Sequence, residues 1–222
     1  MRVASAIECK WFTPPASSWF RNASPPVLAY TSAPYRGLDV LISAFPAIRR
    51  AVRGAELRIF SGMGQNLSDP MNQPYEALYN QCRETEGVHL IGRIGQTELA
   101  HEIAQCAALA YPSTFPETSC IAVMEAMSVG AAILTTRSGA LPETTAGFAH
   151  MVQETEDSTR LAKDFADMVI ATLYAIRTDS DAAAERRNQQ IAYARREYAW
   201  PTRAHEWQVW LSDIVRQHAR GP

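Results

Sequence analysis

Short apolar runs alternate with longer amphipathic segments from residue 27 onward, and this alternation constrains the fold more than any other feature. The runs with the character of buried strands are 27–31, 55–60, 88–91, 107–111, 131–135 and 149–152. After the first run, Leu38, Leu41, Ile42, Phe45 and Ile48 recur at three- and four-residue intervals, the spacing of one helix face. Strands that alternate with helices form βαβ units, and strands without polar alternation are buried on both faces. The sequence therefore predicts an α/β fold, a Rossmann-like parallel sheet flanked by helices.

The two ends of the chain differ from this central pattern. Residues 1–26 place prolines among aromatic residues, so we expect a linker or N-terminal segment that lies against the rest of the chain. Residues 27–157 contain the alternation and form the predicted core domain. Residues 158–222 have helical patterns only, and we expect a helical C-terminal extension on the same domain. Its last helix has an apolar stripe that includes Trp207 and Trp210, which we expect to pack into the core.

Charge and cysteine usage exclude several classes of protein. The 222 residues have 21 Lys and Arg against 23 Asp and Glu, a formal net charge of -2. A nucleic-acid partner is not expected, because a surface that follows phosphates needs a basic excess. No apolar run approaches the roughly 18 residues of a membrane span, and the start resembles no secretory signal, although peripheral membrane contact stays open. The four cysteines form no C-x-x-C pair, which indicates free thiols and a cytoplasmic location.

The loops after the strands are where we expect function, because ligands of open parallel sheets bind beyond the carboxyl ends of the strands. The most informative stretch is 111–130, a strand, a polar loop and a helix that stops at Gly130. Thr118 or Ser119 is predicted to cap this helix, whose free N–H groups would then form an anion site. By the same logic Thr97 is predicted to cap the helix after the third strand.

Two carboxylates belong to this stretch. Glu117 precedes the helix, and Glu125 lies inside it among apolar residues. Burial of Glu125 would be costly without partners, and the alternative is an exposed helix face. Eight helical residues span about 12 Å, more than the roughly 5–9.5 Å between the carboxylates of a glycosidase. The spacing favours two acids that hold different parts of one long ligand.

Glu117, seven residues and Glu125 resemble the E-x7-E signature of retaining GT-B glycosyltransferases, the glycosyl transferases group 1 family. The surrounding segments agree in order: 36–41 with Arg-Gly, 88–92, 111–113 with Tyr-Pro-Ser, and 138–143 with Ser-Gly-Ala-Leu-Pro-Glu. The resemblance covers about residues 27–215, the nucleotide-sugar-binding half of such an enzyme.

The resemblance implies a role for each matching residue. Glu125 would accept hydrogen bonds from the ribose of the donor nucleotide. Glu117 would contact the transferred sugar, and Arg36 would neutralise the leaving diphosphate, so these two are the predicted catalytic residues. The other implied donor-binding residues are Thr118, Ser119, Cys120 and Ile121 at the helix start, Gly62 and Gly64, Arg93 and Ile94 near the base, and Thr31 and Ser32.

The chain departs from the family pattern at two places. Thr31 stands where the family often has a second basic residue, so Ser32 or another chain would have to compensate at the diphosphate. Thr118, Ser119 and Cys120 stand where the family commonly has Gly-Phe-Gly. A cysteine at a helix start can have a lowered pKa, but no base is adjacent in sequence, and we interpret Cys120 as structural.

The resemblance implies a transferase that moves a sugar from a nucleoside-diphosphate sugar, such as a UDP-sugar, with retention of configuration. An N-terminal acceptor domain or a partner chain would complete it. No cofactor or metal is expected: the histidines lack ligand spacing, and in Asp179-Ser180-Asp181 we interpret Asp181 as a helix cap rather than a metal ligand. The alternatives are a non-catalytic nucleotide-sugar-binding module and, third, a nucleotide-sugar epimerase half of the same fold.

Overall fold

A computed structural model of the chain describes residues 5–15, 19–21 and 24–219. The strands among these residues are β1 (Val27–Tyr30), β2 (Glu56–Ile59), β3 (Val88–Leu90), β4 (Ala108–Tyr111), β5 (Ala132–Thr136) and β6 (His150–Val152). The α-helices are α1 (Leu38–Ala51), α2 (Glu76–Glu84), α3 (Gln96–Ala104), α4 (Ile121–Val129), α5 (Leu141–Thr145), α6 (Ser158–Thr178), α7 (Ser180–Glu197) and α8 (Trp200–Ala219). Short 3-10 helices span Trp19–Arg21 and Pro70–Tyr75.

The strands form one parallel sheet in the order β3-β2-β1-β4-β5-β6. The predicted Rossmann-like fold is thereby confirmed. The strand order reverses between β1 and β4, where Leu28 lies opposite Ala108. Loops that leave such neighbouring strands diverge to opposite faces of the sheet and open a crevice at the carboxyl edge.

The centre of the sheet is buried because β1 and β4 carry apolar residues on both faces. All four residues of β4 are buried, and they alternate small alanines with Leu109 and Tyr111. The predicted stripe of α1 is also confirmed, since Leu38, Leu41 and Phe45 are fully buried against the sheet. Gly130 ends α4 in a left-handed conformation with φ of 78°, as expected for a residue just past a helix end.

Three predicted caps are wrong. Gly95, not Thr97, precedes α3, and Thr97 lies inside the helix. Asp179, not Asp181, caps α7, with its carboxylate accepting from the N–H of Ala182 at 3.0 Å. Cys120, not Thr118 or Ser119, is the residue before α4. Each error is one or two residues along the chain, the usual uncertainty of a helix end.

The N-terminal segment lies against the domain over its described residues. The N–H of Ile7 donates to the carbonyl of Tyr198 at 2.8 Å, next to a parallel bridge between Ile7 and Ala199. Phe12 is fully buried, and Arg195 donates to its carbonyl at 2.6 Å. Residues 1–4, 16–18 and 22–23 of the predicted linker lie outside the described part of the chain.

The C-terminal helices differ from one another in how they pack. α6 packs on α1, and α7 packs on α4. The prediction that the stripe of α8 packs into the core is wrong: Trp207 is 39% exposed and Leu211 is 49% exposed. α8 is anchored at its first turn, where Arg203 stacks over Tyr198 at 5.7 Å, and beyond it the Trp207 and Trp210 rings pack mainly on each other. Within the described residues, no helix is both long enough and apolar enough to cross a bilayer.

Candidate functional site

A cleft of about 760 Å³ opens at the carboxyl edge of the sheet, beside the neighbouring strands β1 and β4 where the strand order reverses. Its walls are the loop after β1, the loop before α3, the start of α4 and the N-terminal segment with Trp200. The predicted site residues that line it are Thr31, Ser32, Arg36, Gly62, Arg93, Glu117, Ser119, Cys120, Ile121 and Glu125. Residues far apart in sequence therefore meet in one concave surface.

Glu117 forms the centre of a buried polar junction. Its carboxylate oxygen Oε1 accepts from Arg36 Nη1 at 2.6 Å and from the Tyr111 hydroxyl. Ser32 in turn donates to the Tyr111 oxygen at 3.4 Å. Glu117 is only 6% exposed, and an acid so buried is tolerated because an arginine compensates its charge. The junction connects the loop after β1 with the loop after β4.

Two glycines make this junction sterically feasible. Gly37, with φ of 99°, lies beside Arg36, and a Cβ there would be 2.0 Å from the carbonyl oxygen of Pro112. At Gly139, with φ of 52°, a Cβ would lie 2.3 Å from the carbonyl oxygen of Glu117. Both positions require a residue without a side chain, because the backbone is left-handed and another chain segment fills the space.

Aromatic rings enclose the guanidinium of Arg36. The ring of Phe115 lies 4.3 Å from its central carbon and the ring of Tyr35 lies 5.5 Å away. Burial opposes the charge, but hydrogen bonds to Tyr35, Glu117 and Tyr111 outweigh it and raise the pKa of Arg36 above its ordinary value. Arg36 is therefore a permanent cation at the mouth of the cleft.

Glu125 is buried on α4, with 5% of its surface exposed. The alternative that placed it on an exposed helix face is wrong. Its Oε1 accepts a hydrogen bond from the side-chain amide of Gln96, the first residue of α3. Burial raises the pKa of Glu125 to about 7, and the Gln96 bond opposes that rise in part. The site thus contains a second acid, held by a neutral donor rather than by a cation.

Each acid lines the cleft and has one carboxylate oxygen bonded within the protein. Among the described residues, hydrogen bonds reach Oε1 of Glu117 and Oε1 of Glu125, whereas Oε2 of each has no protein partner. A carboxylate oxygen that faces a cleft can accept hydrogen bonds from a ligand hydroxyl. The two free oxygens fit a ligand that carries hydroxyl groups at two separated places.

The start of α4 adds further polar groups to the cleft. Cys120 is buried, and burial with the nearby Glu117 charge raises the pKa of its thiol to about 12, as expected for a structural rather than a reactive cysteine. The Ser119 hydroxyl accepts from the N–H of Ser5 at 3.1 Å, so it is bonded to the N-terminal segment.

Thr31 Oγ1, just after β1, is buried with no hydrogen-bond partner in the described part of the chain. An unsatisfied hydroxyl beside a cleft is a candidate ligand contact.

Three predicted site residues do not line the cleft. A Cβ at Gly64 would lie 2.0 Å from the carboxyl carbon of Asp69, so this glycine makes room for its own loop. Ile94 packs beneath the surface beside Phe60, and Thr118 is exposed on the loop. By contrast Gly62 borders the cleft, next to the side chain of Arg93. The proposed roles of all these residues stay predictions.

Neither Gln96 nor the hydroxyl of Tyr111 was predicted from the sequence as part of the site. A signal for Gln96 was available, because it follows the third strand on a loop that the fold directs to the carboxyl edge. Tyr111 carried no signal for its role, since an aromatic residue at the end of an apolar run is usually part of the core. No group of three or more His, Cys, Asp or Glu side chains that could hold a metal ion occurs within the described ranges.

The family model for glycosyl transferases group 1 matches residues 25–171, more than half of the chain. The chain belongs to the group 1 glycosyltransferase family. The match includes the whole sheet, Arg36 and both cleft acids, so the resemblance drawn from the sequence is confirmed at the level of the family. A comparison with curated proteins found no match.

Solved structures share the fold at low sequence identity. A glycosyltransferase from Rickettsia africae superposes with a TM-score of 0.72 at 14% identity, over 96% of this chain and 56% of its own. HepE from Anabaena, in complex with UDP-glucose, gives 0.70 at 19% identity, over 94% and 56%. The C-terminal domain of the group 1 protein LpcC from Francisella tularensis gives 0.63 at 16% identity, over 87% and 99%. The chain therefore spans about half the length of the first two proteins, and nearly all of the LpcC domain.

Proposed function

We propose that this chain is the donor-binding domain of a retaining GT-B glycosyltransferase, which transfers a hexosyl group from a nucleoside-diphosphate sugar. The observation that carries the proposal is the meeting of two buried acids and one arginine on a single cleft at the strand-order reversal. The UDP-glucose held by HepE, which has the same fold, supports a ligand of this class.

The cleft offers contacts for the ribose, the diphosphate and the sugar of such a donor. Oε2 of Glu125 accepts from the ribose hydroxyls, and charge-assisted bonds of this kind contribute about 1.5–3 kcal/mol each. The backbone N–H groups at the start of α4 and Arg36 face the diphosphate. Oε2 of Glu117 accepts from the hydroxyls of the transferred sugar. Thr31 Oγ1 gains the partner that it lacks within the protein.

Arg36 and Glu117 are the proposed catalytic residues. As the bond between sugar and diphosphate breaks, negative charge grows on the diphosphate, and a fixed cation beside it lowers the barrier. Loss of one such donor typically reduces the rate by about a hundred- to a thousandfold. We propose that Arg36 and the α4 N–H groups serve where other enzymes use a metal ion, so that EDTA leaves donor binding unchanged.

The acceptor requires a second surface. HepE, which shares this fold, is longer, and this chain spans 56% of it. We propose that an N-terminal acceptor domain or a partner chain completes the active site by closing over the cleft. Such closure excludes water, which favours transfer to the acceptor over hydrolysis.

Calorimetry with UDP, ADP and GDP, and with their glucose conjugates, tests donor binding. We expect one nucleotide family to bind, and Glu125→Gln to weaken it by about tenfold or more because Gln replaces a charged acceptor. Glu98→Gln on the exposed face of α3 is the matched control. Absence of binding by every nucleotide, or an unchanged affinity of Glu125→Gln, would contradict the proposal.

The alternative is a module that binds a nucleotide sugar without catalysis. The LpcC structure, of which this chain covers 99%, is a C-terminal domain by itself, which supports independent folding of such a module. Transfer assays on this chain alone and with a candidate N-terminal domain distinguish the two functions. Transfer only in the presence of that domain supports the enzyme, and binding without transfer in both mixtures supports the module.

A further inference from the structure

The hydrogen bond between Gln96 and Glu125 connects two βα units at one wall of the cleft. Gln96 is the first residue of α3, and its side chain is exposed at the rim. Glu125 is 29 residues away in sequence and buried on α4. The amide of Gln96 donates to Oε1 of Glu125 at the cleft wall that both residues form. A rim residue thus controls the orientation of a buried acid.

The chemistry of this pair differs from that of the other acid. Glu117 is paired with the Arg36 cation and with Tyr111. Glu125 has only one side-chain hydrogen-bond partner in the described ranges, and this partner is neutral. A neutral amide holds one carboxylate oxygen without supplying an opposing charge, so Oε2 of the ionised acid stays available as an acceptor.

We infer that Gln96 is a positioning residue: by holding Oε1 of Glu125 it aims Oε2 at a pair of neighbouring hydroxyls and so selects ribonucleotides over deoxyribonucleotides. The inference rests on the proposed donor-binding function. The proposed ligand then has an intact ribose, because a buried acceptor that is aimed at two hydroxyls is left without a partner when the ligand lacks one of them.

The test uses calorimetry with a ribonucleoside diphosphate that binds, and with its 2′-deoxy and 3′-deoxy analogues. Gln96→Met keeps the length of the side chain and removes the donor. We expect the affinity ratio of ribo to deoxy forms to fall by roughly three- to tenfold, since an unaimed carboxylate bonds less well to the diol. Gln105→Met, at the exposed carboxyl end of the same helix, is the matched control and keeps the ratio.

A double-mutant cycle separates positioning from general damage. In the Glu125→Gln background, Gln96→Met is expected to leave the ratio unchanged, because the acid that Gln96 positions is gone. Equal melting temperatures of Gln96→Met and wild type show that the fold is intact. An unchanged ratio in Gln96→Met, or an equal fall of the ratio in both backgrounds, overturns the inference. If the wild type binds no nucleotide, the proposed function itself is wrong.

Discussion

At the scale of single residues, the molecule keeps a buried acid that costs stability. Glu125 has a pKa raised to about 7 by burial, with partial opposition from the Gln96 bond. The other charged side chains on the cleft are Glu8, Arg36, Arg93 and Glu117. Between the ordinary pKa of 4.5 and about 7, the folded chain binds a proton that the unfolded chain releases. The bound proton therefore stabilises the folded chain relative to the unfolded chain. This stabilisation is complete below pH 4.5 and is lost as the pH rises through 7.

Glu125→Gln is therefore expected to make the fold more stable at pH 8. The ionised acid costs at most about 3 kcal/mol there, and a neutral amide of the same shape avoids that cost while Gln96 keeps its acceptor. The melting temperature of the variant should exceed that of the wild type by several degrees at pH 8 and match it near pH 4.5. A lower melting temperature at pH 8 would mean that the carboxylate is stabilising. Together with weaker nucleotide binding, the gain would mark Glu125 as retained for function.

At the scale of elements, the site depends on contact between two loops that follow neighbouring strands. The loop after β1 carries Arg36 and the loop after β4 carries Glu117, and their ion pair joins residues 81 positions apart. Gly37 permits this contact, since its backbone is left-handed and a Cβ there would lie 2.0 Å from the carbonyl oxygen of Pro112. The geometry of the Arg36–Glu117 ion pair thus depends on backbone packing as well as on charge.

Gly37→Ala should damage both stability and the cleft. A Cβ at Gly37 would overlap the Pro112 carbonyl oxygen, and alanine is also strained at φ of 99°. We expect a loss of about 2–4 kcal/mol in the free energy of unfolding, measured by denaturant titration. Gly95→Ala is the control, because nothing lies within 4 Å of a Cβ there and the φ of -64° suits alanine. Similar losses in both variants would refute the steric argument.

At the scale of the whole molecule, the N-terminal segment is bonded to the C-terminal helices. Residues 5–15 bond to Tyr198 and Arg195, near the junction of α7 and α8, and one of them reaches Ser119 at the cleft. Segments from opposite ends of the sequence therefore share one wall of the site. The exposed stripe on α8 continues from this junction, beyond the packed part of the domain.

Phe12→Ala tests how much the N-terminal segment contributes to the free energy of unfolding. Phe12 is fully buried, and removal of a buried phenyl ring typically costs about 3–5 kcal/mol. Chemical denaturation should reveal a loss of this size for Phe12→Ala. Its neighbour Trp11 is 37% exposed, and Trp11→Ala is expected to cost clearly less. Equal and small losses would show that residues 5–15 contribute little to the fold.

The sequence by itself determined the order of the strands and of the longer helices, because strand and helix periodicities and turn residues such as Gly130 are local properties. It did not predict the short helices Leu141–Thr145 and Pro70–Tyr75. It also determined which loops reach the carboxyl edge, since parallel connectivity follows from alternation. The burial of Glu125, its Gln96 partner and the Arg36–Glu117–Tyr111 junction were decided only by the tertiary structure. The exposure of the α8 stripe belongs with them, since an apolar helix face is equally consistent with a core position. Each of these depends on which residues distant in the sequence become neighbours, and that depends on packing across the whole sheet rather than on local periodicity.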